Sequence, residues 1–306
     1  MRVLKSILLL SLITVLFWQC QNSTKETSNN QVLGTEQSPS TGAQAIASFQ
    51  QWLDDPQPMV SAHRGGPYPG FPENALETFQ NIVDQTPAII ECDVSMTSDG
   101  VLILMHDKSL DRTTNGSGDV TDIRYEAIKN LKLVDNDGNE TNFSVPTLDE
   151  TLAWGKGKAL FTLDVKRGVP FEKVIDAIVK HDAASYAAVI TYRIRDAELV
   201  HSLNPALMIS VSARDDSAIE QIVRSGIPSK NLLGFVGTSE PSSSHYEQLK
   251  QMGIKTILGT LGNLDRRAVA RGDDFVYLSY MKNGADIIAT DRPLEVAKVM
   301  KTELVK

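Results

Sequence analysis

The chain has 306 residues, 42% of them hydrophobic and 22% charged. This composition is ordinary for a globular protein and excludes collagen-like, wholly disordered and polytopic membrane chains. A net charge of -8 lacks the basic footprint of a nucleic-acid binder, so an anionic substrate must be met by a local cation.

Arg2 and Lys5 flank the start of an uncharged, mostly apolar run from Ser6 to Trp18, and Cys20 follows. The run is short for a membrane span of about 20 residues and suits the apolar core of an export signal. The pattern resembles a bacterial lipoprotein signal, in which cleavage leaves a lipidated cysteine as the first residue. Gln19 departs from it, standing where a small residue is usual. Residues 1–20 are therefore read as the signal and Cys20 as the lipidation site. The expected location is outside the cytoplasm, anchored to a membrane and facing the periplasm or the cell exterior. Residues 21–45 are rich in Ser, Thr, Asn, Gln and Gly, and read as a flexible tether. Cys92 is the one other cysteine, so no disulfide framework is expected. Residues 46–306 are the folded domain. A short helix is expected from near Gly42 through Ala47 and Phe49 to Trp52, ended by Pro56 and Pro58.

From Met59 onward, short apolar runs alternate with amphipathic ones. The strand candidates are Met59–Ala62, Ala88–Val94, Val101–Met105, Ala159–Val165, Ala187–Thr191, Leu207–Val211, Leu232–Val236, Lys255–Leu258 and Asp286–Thr290. Several lack polar alternation, as strands buried on both faces of a parallel sheet do. Glu172–His181, Asp196–Leu203, Ser217–Ser225 and Ser243–Met252 read as helices between them. Repeated βα units over about 250 residues predict an α/β fold, a single (β/α)8 TIM barrel. Nine candidates stand for eight strands, and Leu232–Val236 is the one the pattern supports least. The joint from Ser95 to Gly100 is too short for a crossover helix, so strands two and three have a helix-free connection. Residues 109–158 are polar and are expected to carry two short helices over one barrel end.

Four polar clusters sit at strand C-terminal ends, the face that carries barrel active sites. They are His63-Arg64-Gly65-Gly66, Glu91-Cys92-Asp93, His106-Asp107 and Asp164-Val165-Lys166. Strand residues two apart share a face, so Glu91 and Asp93 point one way and Cys92 points toward the helices. Asp164 and Lys166 share a face likewise. Three carboxylates in one barrel mouth need a partner, and a divalent cation held by Glu91, Asp93 and Asp164 supplies it. All-oxygen ligands favour Mg²⁺ or Ca²⁺ over zinc. Arg64 and Lys166 can hold phosphoryl oxygens, and His63 and His106 can act as a general acid and base. These parts suit a phosphodiester. The other reading of the same residues is a set of ion pairs from Glu91 and Asp93 to Arg64 and Lys166 without a metal.

The stretch His63-Arg64-Gly65-Gly66, with Pro72-Glu73-Asn74, Glu91-x-Asp93, His106-Asp107 and Leu110-Asp111-Arg112-Thr113-Thr114-Asn115-Gly116, resembles the glycerophosphodiester phosphodiesterases. So does the tail from Gly284 to Pro293. The resemblance spans about Met59 to Val299. It implies hydrolysis of a small-molecule glycerophosphodiester to glycerol 3-phosphate and an alcohol. It also implies His63 and His106 as the catalytic pair, and one Mg²⁺ or Ca²⁺ on Glu91, Asp93 and the strand-four carboxylate. Three positions depart from the family pattern. Ala75 replaces Thr, Asp164 replaces a longer Glu, and Gly259-Thr260-Leu261 lacks the family's Trp-Thr and offers no aromatic platform.

Glu73 reads as a residue supporting the site or a helix start, with Asn74 as a possible cap. Asp107 orients a turn or the His106 imidazole, Arg112 and Asn115 shape their loop, and Asp291 fixes the last strand-to-helix turn and is placed to reach Arg64 or the pocket rim. Asp135-Asn136-Asp137-Gly138 is a plain turn, since it lacks the distal Glu of a calcium loop. His181, His201 and His245 are expected to be solvated. Tyr68 and Phe71 either line the pocket mouth or pack over it. No protein partner is evident. A lipid-directed phospholipase C or D-like enzyme and a non-catalytic binding protein on the same barrel are the alternatives.

Overall fold

A computed structural model describes residues 46–304. The signal, Cys20, the tether and the start of the first expected helix fall on residues 1–45, outside the described residues. No helix among the described residues is long and apolar enough to cross a membrane.

The described residues form eleven strands: β1 (Met59–Ala62), β2 (Ala88–Met96), β3 (Leu102–Leu104), β4 (Lys132–Val134), β5 (Glu140–Ser144), β6 (Leu160–Val165), β7 (Ala187–Ile190), β8 (Met208–Ser212), β9 (Leu232–Gly237), β10 (Lys255–Gly259) and β11 (Ile287–Thr290). Eight of them close a parallel barrel in the order β1-β2-β6-β7-β8-β9-β10-β11 and back to β1. β2 and β6 are buried along almost their whole length, which explains why they read as apolar runs without alternation.

The extra candidate is β3, not Leu232–Val236. β9 is a full barrel strand between β8 and β10. β3 instead runs antiparallel to the far end of β2, pairing Val94 with Leu104 and Met96 with Leu102. An antiparallel return needs no crossover, which is why Ser95–Gly100 carries no helix.

The helices are α1 (Phe49–Asp54), α2 (Leu76–Val83), α3 (Tyr125–Ile128), α4 (Leu148–Gly155), α5 (Phe171–Lys180), α6 (Ile194–Leu203), α7 (Asp216–Ser225), α8 (Ser243–Gln251), α9 (Asn263–Arg271), α10 (Val276–Asn283) and α11 (Pro293–Leu304). α5 shows the logic of the outer ring: Val174, Ile175, Ala177 and Ile178 face the barrel at helical spacing. α1 starts where the Ser48 hydroxyl accepts from the Gln51 amide at 3.1 Å, and it buries Phe49 and Trp52.

The polar stretch after β3 does carry two short helices, α3 and α4. It also holds the hairpin β4–β5, which periodicity does not reveal. Ile103, Leu110, Val120, Ile128, Leu133 and Val145 give it a small core of its own. α4 opens with a capping box between Thr147 and Glu150. The Asp135 turn is an Asx turn, as expected: its carboxylate accepts from the amides of Asp137, Asn139 and Gly70.

β1 ends in a turn that places the first polar cluster. Arg64, Gly65 and Gly66 all take positive φ, at 52°, 85° and 76°. A Cβ on Gly65 would lie 2.1 Å from the Phe79 ring, so glycine is required by packing as well as by φ. Gly70 has φ of 79° but nothing within 4 Å of a Cβ. Gly65→Ala is therefore expected to cost about 2–4 kcal/mol of stability, and Gly70→Ala about 1 kcal/mol. Urea unfolding midpoints check this, and equal losses at the two sites would refute the packing argument.

Candidate active site

β2 and β6 are neighbours in register, with Glu91 opposite Thr162 and Asp93 opposite Asp164. That register brings carboxylate oxygens of Glu91, Asp93 and Asp164 within 4.8 Å of one another, all three residues buried. Cys92 points the other way into the hydrophobic core, as parity requires. The Lys166 ammonium lies 2.6 Å from Asp93 Oδ1 and 2.6 Å from Asp164 Oδ2. Burial disfavours the charge on Asp93, but Lys166 and a hydrogen bond from Asn74 outweigh it and hold its carboxyl below the usual range. Burial also works against Lys166, and the two aspartates overcome it and raise its pKa.

Glu91 has no such partner. Its Oε2 accepts from the Arg64 backbone amide at 2.6 Å. Burial, followed by the charge of Asp93, pushes its pKa up to about 8. Side-chain neighbours offset the charge of the two aspartates but not a third charge on Glu91, and the hard oxygen atoms of the trio fit a Mg²⁺ or Ca²⁺ ion that would supply the missing positive charge.

The two histidines are each tied through Nδ1. His63 Nδ1 donates to Asp291 Oδ1 at 2.7 Å, and His106 Nδ1 donates to Asp107 Oδ1 at 2.7 Å. An ionised carboxylate only accepts, so each pair leaves Nε2 as the ring atom available for proton transfer. Burial pulls the His63 pKa down, but the Asp291 bond and the charges of Glu91 and Asp291 raise it overall. Asp291 is fixed in turn: its Oδ2 accepts from the Gly262 amide at 3.1 Å, and its own amide donates to buried Asp265. His106 follows β3, whose end is stitched to β2 where the Met105 amide donates to the Asp93 carbonyl at 2.9 Å.

Arg64 turns its guanidinium toward Glu73, with Nη1 donating to Oε2 at 3.1 Å. Its Nε is buried without a hydrogen-bond partner and lies 4.0 Å from Asp93 Oδ2. Arg112 grips the other side of buried Glu73 at 2.8 and 3.0 Å and donates from Nε to Asp107 Oδ2 at 2.6 Å. Glu73 and Asp107 therefore support the site from behind, linking Arg64 to His106 through Arg112.

A cavity of about 480 Å³ opens beside these groups. Its walls include His63, Glu91, Asp164, Tyr192, Arg214 and Phe235. Tyr68 and Phe71 are not among its lining residues: Tyr68 donates to Glu295 at 2.7 Å, and Phe71 packs on Phe143. They pack on these neighbours rather than line this space.

Three sequence readings need correction. Asn74 does not cap α2, whose N-cap is Ala75. It clamps Asp93 instead, donating to Oδ2 at 2.7 Å and accepting from the Asp93 amide at 2.9 Å. His181 is bound to Asp149 at 2.6 Å, and His245 donates to the Ala213 carbonyl at 2.7 Å, so neither is simply solvated. Asp291 reaches into the site, but its partner there is His63 rather than Arg64. Sequence reasoning also missed Tyr192, whose hydroxyl donates to Asp164 Oδ1 at 3.0 Å from the end of β7. Its place directly after a strand end was the available signal.

The glycerophosphoryl diester phosphodiesterase family model matches residues 63–273. An uncharacterized Bacillus subtilis protein, YqiK, is 28% identical over 256 residues, covering 80% of this chain and 99% of that protein. A Caldanaerobacter subterraneus subsp. tengcongensis glycerophosphodiester phosphodiesterase is 31% identical over 160 residues, covering 50% of this chain and 65% of that protein. The crystal structure of a Parabacteroides distasonis glycerophosphoryl diester phosphodiesterase superposes with a TM-score of 0.79 at 32% identity. It covers 85% of this chain and 94% of that one.

The Arg112 bridge makes a pH prediction. Its hydrogen bonds hold the Asp107 carboxyl well below the usual carboxylate range, against the opposing effect of burial. A depressed folded pKa stabilises fully above the unfolded value of about 4 and is lost as pH falls below it. Asp107→Asn is therefore expected to cost about 1–2 kcal/mol near neutral pH. That deficit should shrink as pH drops through 4. Urea midpoints of the parent and the variant across this range measure it, and a gap independent of pH would contradict the assignment.

Proposed function

Because the chain belongs to the glycerophosphoryl diester phosphodiesterase family, whose members are phosphoric diester hydrolases, we propose that it hydrolyses glycerophosphodiesters to glycerol 3-phosphate and an alcohol. One observation carries this reading. Two imidazoles, each oriented by a carboxylate on Nδ1, stand at a mouth where three carboxylates and a lysine converge. The proposed roles follow from those positions.

Glu91, Asp93 and Asp164 would hold one Mg²⁺ or Ca²⁺, since all three offer hard oxygen atoms within one ion's reach. Such an ion, when bound, polarises a phosphoryl oxygen and offsets charge developing on phosphorus. His63 and His106 divide the proton traffic. One Nε2 takes the proton of the attacking hydroxyl or water, and the other gives a proton to the leaving alkoxide. Asp291 and Asp107 hold the tautomer that each task needs and stabilise the imidazolium that forms. Lys166 restrains the aspartates and offers charge to a non-bridging oxygen. The unpartnered Nε of Arg64 is a second donor for such an oxygen. Glu73 and Arg112 position Arg64 and Asp107 without touching substrate. The same reading places the domain outside the cytoplasm on a Cys20 lipid anchor, supported by the basic start and apolar run ahead of Cys20.

The test is glycerol 3-phosphate release from soluble glycerophosphodiesters by the purified protein. It is run with EDTA, with Mg²⁺ or Ca²⁺ restored, and with His63→Ala and His106→Ala. Release is expected to need the cation, and each histidine variant to lose about 10²–10⁴-fold in kcat. A folded protein that releases nothing from any diester with either cation would overturn the proposal, and release indifferent to EDTA would overturn its metal.

A further inference from the structure

The barrel order places β8 four strands from β1 in either direction, so residues after β8 face His63 across the mouth. Arg214 stands there, two residues beyond the end of β8. It lines the same cavity as His63, Glu91 and Asp164. Among the described residues no carboxylate, carbonyl or hydroxyl pairs with its guanidinium. The guanidinium carbon instead lies over an aromatic face, 5.3 Å from the Phe235 ring centroid.

That ring has its own reason to be there. Gly259 of β10 leaves the space open, and a Cβ at this glycine would lie 3.1 Å from the Phe235 ring. The aromatic platform missing from Gly259-Thr260-Leu261 is thus supplied by β9 next door, and it is already capped by a cation. Ser212 and Thr238 add hydroxyls to the same wall.

On the reading that this site cleaves glycerophosphodiesters, we propose that Arg214 selects substrates whose head group carries a second negative charge, a carboxylate or a phosphate. With phosphorus at the acidic trio, a head group that extends across the cavity meets exposed Arg214 at the far rim. A quaternary ammonium would seek the face of an aromatic ring. Here that face is covered by a guanidinium, which repels it. A carboxylate or phosphate instead meets the planar fork of donors that lies over Phe235. A choline head group is disfavoured by the same arrangement that favours an anionic one.

The test compares glycerophosphoserine (carboxylate) and a glycerophosphoinositol phosphate (phosphate) with glycerophosphocholine, using the cation-loaded full chain. Parent, Arg214→Gln, Arg214→Lys and Arg214→Glu are assayed for kcat and KM. Binding of the same diesters is measured separately in the His106→Ala background, where turnover does not obscure it. The parent is expected to favour at least one anionic head group by about ten- to a hundredfold in kcat/KM, the range of a charge-assisted hydrogen bond. The difference should lie mainly in KM. Arg214→Gln should bring the ratio toward one, Arg214→Lys should restore part of it, and Arg214→Glu should reverse it in favour of choline. The ratio should also shrink as salt rises. Which anionic substrate gains more separates a carboxylate-reading from a phosphate-reading wall.

A parent that uses all three head groups equally, or a preference that Arg214→Gln and Arg214→Glu leave unchanged, would overturn the inference. Absence of turnover with an Arg214-dependent binding preference intact would support the inference and sink the hydrolytic reading. Absence of both turnover and selective binding would overturn the two together.

Discussion

Three buried carboxylates with oxygens within 4.8 Å of one another, on one barrel wall, are the constraint around which this mouth is built. Register leaves no escape: Asp93 and Asp164 are opposed across β2 and β6, and Glu91 sits two residues back on the same face. Isolated buried carboxylates would cost far more than a folded protein can spare. The chain meets this with Lys166 between the two aspartates, with Asn74 on Asp93, and with Tyr192 on Asp164. Those contacts satisfy the aspartates. They do not satisfy Glu91, which has only the Arg64 amide. The metal-free reading of the cluster, in which ion pairs alone balance the charge, is therefore half met. Lys166 pairs with both aspartates, whereas Arg64 hydrogen-bonds Glu73, comes no nearer than 4.0 Å to Asp93 and gives Glu91 only its backbone amide.

Around this centre the structure holds side chains by relay. His63 is fixed by Asp291, and Asp291 by the Gly262 amide and by Asp265. Asp265 is itself buried and accepts from the hydroxyls of Thr290 and Tyr277. On the other wall, Glu73 holds Arg112, Arg112 holds Asp107, and Asp107 holds His106. Each histidine is positioned by a neighbour whose own geometry is locked, the arrangement that keeps a site preorganised. The glycine-rich turn after β1 belongs to the same scheme. Its left-handed residues let the Arg64 amide reach Glu91 while the guanidinium reaches Glu73.

Much of this was legible in the sequence. Polar clusters at the ends of apolar runs located His63, Glu91, Asp93, His106, Asp164 and Lys166, because barrel topology brings strand ends together whatever the loops do. Parity separated Cys92 from its neighbours. What stayed hidden depended on long-range pairing. Asp291 meets His63 across 228 positions, and nothing local marks that contact. Asn74 looked like a helix cap because Asn before an amphipathic run usually is one, and a tertiary bond to Asp93 displaced that preference. Val101–Met105 and Leu232–Val236 are both short apolar runs, and periodicity cannot tell an antiparallel return from a barrel strand. The clue was connection length. Six residues from Ser95 to Gly100 permit a hairpin and forbid a parallel crossover. Phe235 filling the gap above Gly259 was illegible for a similar reason, since it depends on which strand lies beside which.

The most direct test of this account is a calorimetric titration of the metal-stripped protein with Mg²⁺ and with Ca²⁺, repeated on Glu91→Gln and Asp93→Asn. The account predicts saturable binding of one cation per chain, weakened by roughly tenfold or more in each variant. Failure of the folded parent to bind either cation, or equal affinity in parent and variants, would contradict it. The trio would then be a self-contained cluster of ion pairs.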